Sequence, residues 1–255
     1  MSEISCDVIV IGAGPAGEVA AGRLADGGLE VVVVEDHLVA GECSYYACMP
    51  SKALLRPGDL IDEARRIPGV KEAVTGDIDV ASALARRDEV IHDLDDSVQL
   101  PWLEDKGIRL VRGSGKLTGE KTVTAGEHEI TASRAVVIST GTRPAMPPID
   151  GLADSSPWNN RDATTAKKAP ASMLVLGGGP VGVEMAQAWA SFGTDVTLID
   201  LDPRLLAREE PFAAEQVEKS LRERFGVEVV TGAKTTKVSR EGGTVKLNLE
   251  DGREF

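Results

Sequence analysis

A chain of 255 residues with 42% apolar and 27% charged residues is long enough for two compact domains and too apolar for intrinsic disorder. Its net charge of −13 opposes binding to phosphate backbones and anionic lipid, so nucleic acid and the membrane surface are not expected partners. The N-terminus lacks the pattern of a signal peptide and no window reaches the length of a membrane span; with only three cysteines, the expected location is the cytoplasm.

Asp7-Val8-Ile9-Val10-Ile11 is a continuous apolar run of the kind required by a parallel strand buried on both faces. It leads into Gly12-Ala13-Gly14-Pro15-Ala16-Gly17, a helix predicted over Glu18 to Ala25, a stop at Gly27-Gly28, and a second strand from Val31 to Val34 closed by Glu35. In such a unit Gly12 makes the tight turn, Gly14 lets a pyrophosphate approach the backbone, Gly17 lets helix and strand pack closely, and Glu35 can accept hydrogen bonds from a ribose diol.

Two cysteines follow in Ala40-Gly41-Glu42-Cys43-Ser44-Tyr45-Tyr46-Ala47-Cys48-Met49-Pro50-Ser51-Lys52. Side chains five apart on an ideal helix diverge, so joining Cys43 to Cys48 requires a distorted helix start. Pro50 gives a reason for one, because it cannot donate to the carbonyl of Tyr46. A helix N-terminus would also lower a thiol pKa. On its spacing alone, a Cys-x4-Cys pair in an intracellular protein is more often two reduced core cysteines, and it is the two glycine-rich motifs around it that reverse this. A metal site is disfavoured: Cys6 is the only other cysteine, and no His or Cys cluster has ligand spacing.

A helix is predicted from Lys52 to about Ile67, and a long amphipathic helix from Ala81 to Leu103, with Leu84, Val90, Ile91, Leu94 and Val98 on its apolar face and Pro101 ending or kinking it. Arg109-Leu110-Val111, Lys116-Leu117, Thr122-Val123 and Glu129-Ile130 read as a small antiparallel meander punctuated by glycines. A buried strand from Arg134 to Ser139 runs into Thr140-Gly141, and prolines 144, 147 and 148 mark a boundary between a domain over residues 1–147 and another over 148–255.

The second domain repeats the first. Met173 to Leu176 precedes Gly177-Gly178-Gly179-Pro180-Val181-Gly182, a helix runs to Phe192, Gly193 caps it, and Val196 to Ile199 ends at Asp200. Gly12, Gly14, Gly17, Gly28 and Glu35 recur at an offset of 165 as Gly177, Gly179, Gly182, Gly193 and Asp200. Two nucleotide-binding units in one chain imply two nucleotides. Beyond them a helix is predicted from Pro211 to Phe225, strands over 227–230 and 244–249, and a turn at Asp251-Gly252 that starts a returning strand. Ending there leaves an edge unpaired, so the natural polypeptide is expected to continue past Phe255.

With both glycine motifs, the Cys-x4-Cys-x-Pro-Ser-Lys segment and Ser139-Thr140-Gly141 in place, the chain resembles the flavin-dependent pyridine nucleotide-disulfide oxidoreductases along essentially all its length, in the form closest to dihydrolipoamide dehydrogenase and mercuric reductase. The resemblance implies an α/β fold of two Rossmann-like units in three layers with a small antiparallel meander, the second unit incomplete and the family's dimerisation domain absent. It implies FAD at Gly12, Gly14, Pro15, Ala16, Gly17, Glu35, Asp36 and Gly41, with Lys52, Gly115, Thr140 and Gly141 also near it, and NAD(P)H at Gly177, Gly179, Val181, Gly182 and Asp200. It further implies a redox-active Cys43–Cys48 disulfide in which Cys48 faces the flavin and Cys43 exchanges with a small disulfide or dithiol, a Lys52–Glu184 pair near the reactive edge of the flavin, and a homodimeric parent. Asp200 favours NAD over NADP by repelling a 2′-phosphate, and nearby Arg204 would weaken that preference.

The sequence departs from the family pattern where Ala40-Gly41-Glu42 stands for the usual Gly-Gly-Thr, and where Tyr45 and Tyr46 stand beside the exchanging thiol. His37, His92 and His128 are read as ordinary surface or loop residues. The alternatives are a truncated nucleotide-binding fragment without catalysis, and mercuric ion reduction by the parent.

Overall fold

The computed structural model describes residues 2–255. In chain order its elements are β1 (Ser2–Ile11), α1 (Pro15–Asp26), β2 (Val31–Glu35), α2 (Gly41–Tyr45), α3 (Cys48–Arg66), α4 (Val80–Val90), α5 (Leu100–Asp105), β3 (Arg109–Arg112), β4 (Lys116–Gly119), β5 (Thr122–Ala125) and β6 (His128–Ile138). They continue with α6 (Asn160–Thr165), β7 (Ser172–Leu176), α7 (Pro180–Ser191), β8 (Asp195–Ile199), α8 (Pro211–Phe225), β9 (Glu228–Val230), β10 (Thr235–Glu241) and β11 (Thr244–Leu249). The chain forms two compact units, one of Met1–Met49 with Asp88–Arg143 and the other of Pro50–Arg87 with Pro144–Phe255. The later crossing lies close to the expected boundary, whereas Pro50–Arg87 groups with the C-terminal half.

The first unit is built on a six-stranded sheet of order β3-β2-β1-β6-β5-β4. β1 pairs in parallel with both β2 and β6, which explains its unbroken apolar run: Val8, Ile9 and Val10 are each at most 2% exposed. Two departures from expectation belong here. Arg109–Arg112 is not part of the meander but pairs in parallel with β2, and the runs at 129–130 and 134–138 are one strand, β6, whose first half pairs antiparallel with β5. Pairing partner, not alternation, decides strand direction, and four-residue runs carry too little pattern to reveal it.

The long helix predicted over 81–103 is broken. α4 ends at Val90, the backbone turns through His92, Asp93 and Leu94 at φ 50°, 50° and 64°, and Asp95 accepts a hydrogen bond from the amide of Ser97. Pro101 does not kink a continuing helix but opens a new one in its first turn, where it has no intrahelical donor to lose. The apolar spacing that looked helical is met by packing in two directions, with Leu84 in the core of the second unit and Ile91 in that of the first.

The second unit has a parallel three-stranded sheet of order β7-β8-β9 and a β10-β11 hairpin. The apolar face of α7 packs against it through Val183, Met185, Ala186 and the fully buried Trp189, burial worth about 1.5–3 kcal/mol for each large side chain. α7 stops at Ser191, with Phe192 as its cap, one residue before the predicted end. A further strand, β10, which no local pattern predicts, pairs with β11 across Gly242-Gly243. Chain return after Asp251 is also present, with Leu247 and Phe255 exchanging backbone hydrogen bonds of 2.8 and 2.9 Å. Arg87 is wholly buried, and its guanidinium donates to the carbonyls of Thr164 and of Ala166, the latter at 2.8 Å, tying α4 to the end of α6.

Candidate functional site

In the first unit the chain leaves β1 through Gly12 at φ 98°, held by its amide donating to Val34 at 2.8 Å. A side chain at Gly12 would meet the carbonyl of Ser139, and one at Gly17 would overlap the carbonyl oxygen of Gly12, so only glycine lets strand, loop and helix come this close. Ser139 adds a clamp, its hydroxyl lying 3.0 and 2.9 Å from the carbonyls of Ile11 and Gly12. The Thr140-Gly141 turn thereby adjoins the loop, the Cα of Thr140 standing 3.2 Å from where a Gly12 side chain would begin.

Glu35 is 9% exposed, and its two carboxylate oxygens accept the amides of Ala13 at 2.7 Å and His37 at 2.8 Å. Each oxygen keeps a lone pair, so it braces the loop and still has acceptor capacity for a diol. α1 begins at Gly14 with no side-chain cap, and Pro15 at the first position surrenders no needed donor. Its first-turn amides and positive dipole end are therefore available to a pyrophosphate, a fit consistent with a dinucleotide. Gly115 is packed among Ile11, Val34 and Val123 rather than in an open turn, and Asp36 is exposed.

The sulfur segment is fastened to this loop. The amide of Ala40 donates to the carbonyl of Ala13 at 2.8 Å, and Gly41, at φ 59°, rests on Gly14 so closely that a Cβ would lie 2.8 Å from the Gly14 Cα. Residues 91–99, unforeseen as anything but helix, hold its other side: Asp96 accepts the amide of Val39 at 2.7 Å and pairs with Arg112 at 2.6 Å. Tyr45 and Tyr46 turn into the core of this unit. Both are buried with Ala40 and Ile91, Tyr45 donating to the carbonyl of Asp95 at 3.4 Å and Tyr46 stacking on His37 at 5.7 Å between ring centroids. His37 is thus exposed yet engaged, its Nε2 lying 3.1 Å from the Tyr46 hydroxyl.

The expected distortion is a full break between two helices. Cys43 lies in α2 and Cys48 opens α3, with the amides of Tyr46 and Ala47 both donating to Glu42 across the gap, at 2.8 and 2.6 Å. This folding brings the two side chains into hydrogen-bond contact; both are thiols, as is the buried Cys6. The expected lowering of thiol pKa does not hold for Cys43. Its hydrogen bond to Cys48, then burial and the charge of Cys48, push it up to about 11. A helix dipole is a partial charge and is outweighed by a neighbouring sulfur that competes for the same negative charge.

The second unit contains the repeated loop. The amide of Gly177 donates to Ile199 at 2.9 Å, a side chain at Gly182 would overlap the carbonyl oxygen of Gly177, and α7 starts at Gly179 without a side-chain cap, leaving Val181 exposed. Asp200 accepts the amides of Gly178 at 2.7 Å and Asp202 at 3.1 Å. These residues suit a second dinucleotide on the same grounds. Arg204 donates to the carbonyls of Leu206, Ala207 and Glu209 at 2.9–3.2 Å, so its guanidinium serves the backbone of that turn and is not presented to a phosphate. In the same unit Lys52 and Glu184 meet at 2.6 Å, with side chains 61% and 33% exposed. Among the described residues no group of three or more His, Cys, Asp and Glu side chains is placed to hold a metal, and no helix is long and apolar enough to cross a membrane.

Duplicated dinucleotide loops with a paired-thiol segment fastened to the first define a class, and comparison with known proteins agrees. Residues 6–255 match the pyridine nucleotide-disulphide oxidoreductase family, and the chain belongs to it. It is 34% identical over 255 residues to a dihydrolipoyl dehydrogenase of Chlorobaculum tepidum, covering 96% of this chain and 53% of that protein. It is 30% identical over 243 residues to a mercuric reductase of Lysinibacillus sphaericus, covering 95% of this chain and 44% of that protein. The HOCl-induced flavoprotein disulfide reductase RclA from Escherichia coli superposes with a TM-score of 0.82 at 25% identity, over 98% of this chain and 54% of that one. The chain thus spans about half the length of the relatives it matches. Members of the family bind FAD and NAD(P).

Proposed function

We propose that this chain is the nucleotide-binding and redox-pair portion of an FAD-dependent NADH:disulfide oxidoreductase that acts on a small disulfide or dithiol in the cytoplasm, its whole protein being a homodimer. The reading is carried by one observation: Cys43 and Cys48 are in side-chain contact on a segment whose Gly41 rests directly on Gly14. FAD, when bound, supplies the two-electron relay between NADH and the sulfur pair.

Residues 1–147 take the role of FAD domain. Gly12, Gly14, Pro15, Ala16, Gly17 and Gly41 provide the cradle, Glu35 the ribose acceptor, and Asp36, Gly115, Thr140 and Gly141 the surroundings. Residues 148–255 take that of NADH domain through Gly177, Gly179, Val181, Gly182 and Asp200. NADH is favoured over NADPH because the Asp200 side chain, at the end of β8, would repel a 2′-phosphate while Arg204 is committed to backbone carbonyls. Lys52 and Glu184, which meet at 2.6 Å, keep the paired role that the resemblance gives them. With FAD bound, Cys48 would be the sulfur that faces it and Cys43 the one that exchanges with substrate.

Thiol counting tests the reading. Reduction of the flavin-loaded protein by NADH is expected to expose two additional thiols, at Cys43 and Cys48; an unchanged count sinks it. Mercuric ion is the second substrate class, favoured by the identity to mercuric reductases, and NADH consumption that depends on mercuric ion but not on any disulfide would select it.

A further inference from the structure

The backbone between α4 and α5 is strained. His92, Asp93 and Leu94 stand in succession at φ 50°, 50° and 64°, a left-handed run that L side chains resist at every position. Such backbone persists only where its surroundings fix it, and it gathers at the working parts of a fold. Here Ile91 and Leu94 pack with Ala40, Tyr45 and Tyr46. The turn thereby delivers the next two residues to the two ends of α2. Oδ2 of Asp96 accepts the Val39 amide at 2.7 Å just ahead of that helix, and the Asp95 carbonyl accepts the hydroxyl of Tyr45, its last residue, at 3.4 Å. The same Oδ2 pairs with Arg112 at 2.6 Å, and Arg112 donates to the carbonyl of His37 at 2.8 Å, so the chain on both sides of Leu38 is tied to one ion pair. With its side chain only 14% exposed, Asp96 makes these charge-assisted bonds largely shielded from water.

We propose that Asp95 and Asp96 form a positioning clamp that holds α2 where Cys43 meets Cys48, and that Asp96 thereby sets how readily the pair closes to a disulfide. Cys43 lies between the clamp's two points of attachment, and Cys48 opens the next helix. Closure of two thiols is favoured by their effective concentration, which falls when either carrier segment gains freedom. The first glycine loop also holds Ala40 and Gly41, so loss of Asp96 loosens α2 without releasing it. Asp96 acts through the Val39 amide and the Arg112 pair, not on the sulfur itself.

The clamp rests on the reading of Cys43 and Cys48 as a redox pair and adds what sets its poise. Glutathione disulfide serves as the oxidant. As the Cys43–Cys48 bond forms, the glutathione S–S bond breaks, and the pair's two electrons and two protons end on two glutathione thiols.

The test is equilibration of the 255-residue chain in buffers of reduced and oxidised glutathione, followed by acid quenching and peptide mass spectrometry of the Cys43–Cys48 bridge. Asp96→Ala is expected to lower the equilibrium constant for closure roughly tenfold, which moves the potential about 30 mV to less negative values. Asp96→Asn keeps an acceptor for Val39 but loses the Arg112 pair; it should lower the constant about threefold, and it serves if the alanine variant fails to fold. Asp26→Ala removes a 2.5 Å pair with Lys106 elsewhere in the same unit and should leave the constant where it is. A constant unmoved by both Asp96 variants, whatever happens to urea stability, overturns the clamp. So does an equal shift in Asp26→Ala, or a parent chain whose two thiols never close. No flavin takes part in this equilibrium. A chain that shows the shift yet fails the thiol count keeps the clamp and loses the proposed function, whereas one that passes the count with both Asp96 variants unmoved loses the clamp alone.

Discussion

The two glycine loops, one on each side of the duplication, make the same internal bonds and differ in what surrounds them. In each, the loop's first glycine donates to the neighbouring strand, an acid at the end of that strand accepts the next residue's amide, and the helix glycine sits against the first glycine's carbonyl. The likeness extends to the return segment: Ala40 donates to the carbonyl of Ala13 and Leu206 to that of Gly178, each from a left-handed residue, at φ 76° and 49°. Around the first loop, however, Ser139, Thr140 and Gly41 close in, whereas side chains at Gly177 and Gly179 would meet nothing within 4 Å. A loop enclosed by its own domain suits a resident cofactor, and an open one suits a coenzyme that enters and leaves at each turnover. The return segments diverge in the same sense, one leading into the paired sulfurs and the other into a turn braced by Arg204.

Paired substitutions at equivalent positions would break that comparison most sharply. Gly17→Val drives a side chain into the Gly12 carbonyl, and Gly182→Val does the same at Gly177. Each should cost on the order of 3 kcal/mol in binding, about a hundredfold in Kd, at its own cradle alone. Flavin absorbance should therefore disappear in the first variant and persist in the second, with NADH titration by fluorescence giving the converse. Gly41→Ala has no counterpart in the second loop. It forces a left-handed alanine against Gly14, at a cost of about 1–2 kcal/mol, and should reduce flavin retention while NADH affinity stays unchanged.

Coenzyme choice sharpens the contrast further. Asp200→Ala removes the charge that repels a 2′-phosphate and should shift the NADH-to-NADPH preference by roughly tenfold toward NADPH, or about 1.4 kcal/mol, measured as the ratio of kcat/KM values. Arg204→Ala should leave that ratio where it is, because its guanidinium is spent on Leu206, Ala207 and Glu209. A preference that moves with Arg204 and not with Asp200 would mean that the acid is there only for the amides of Gly178 and Asp202.

Both cradles were legible in the sequence because their chemistry is local: a turn, a close contact and an acid, at spacings set by one strand and one helix. The Lys52–Glu184 pair, 132 positions apart, came from resemblance alone, and the structure does bring the two together. What stayed hidden depends on partners distant in sequence. Nothing local to 91–99 shows that Asp95 and Asp96 hold the sulfur segment, so helical spacing prevailed over the break. Tyr45 and Tyr46 read as intrusions near the thiol because burial is decided by Ile91 and His37.

The departure of Ala40 from the usual glycine gives the smallest expected effect. At φ 76° alanine pays about 1–2 kcal/mol relative to a right-handed conformation, and glycine would not. Against that, Ala40→Gly gives the unfolded chain about 0.4–1 kcal/mol of conformational entropy, and it removes a methyl that is buried beside Tyr45 and Tyr46, worth about 0.8 kcal/mol. The terms nearly cancel, so urea denaturation should place Ala40→Gly within about 1 kcal/mol of the parent. Leu206→Gly relieves the same kind of backbone at the second loop but discards a larger, partly buried side chain, and should be the more destabilising of the two. A large gain from Ala40→Gly would show that backbone strain beside Cys43 outweighs the packing of Ala40 against the tyrosines.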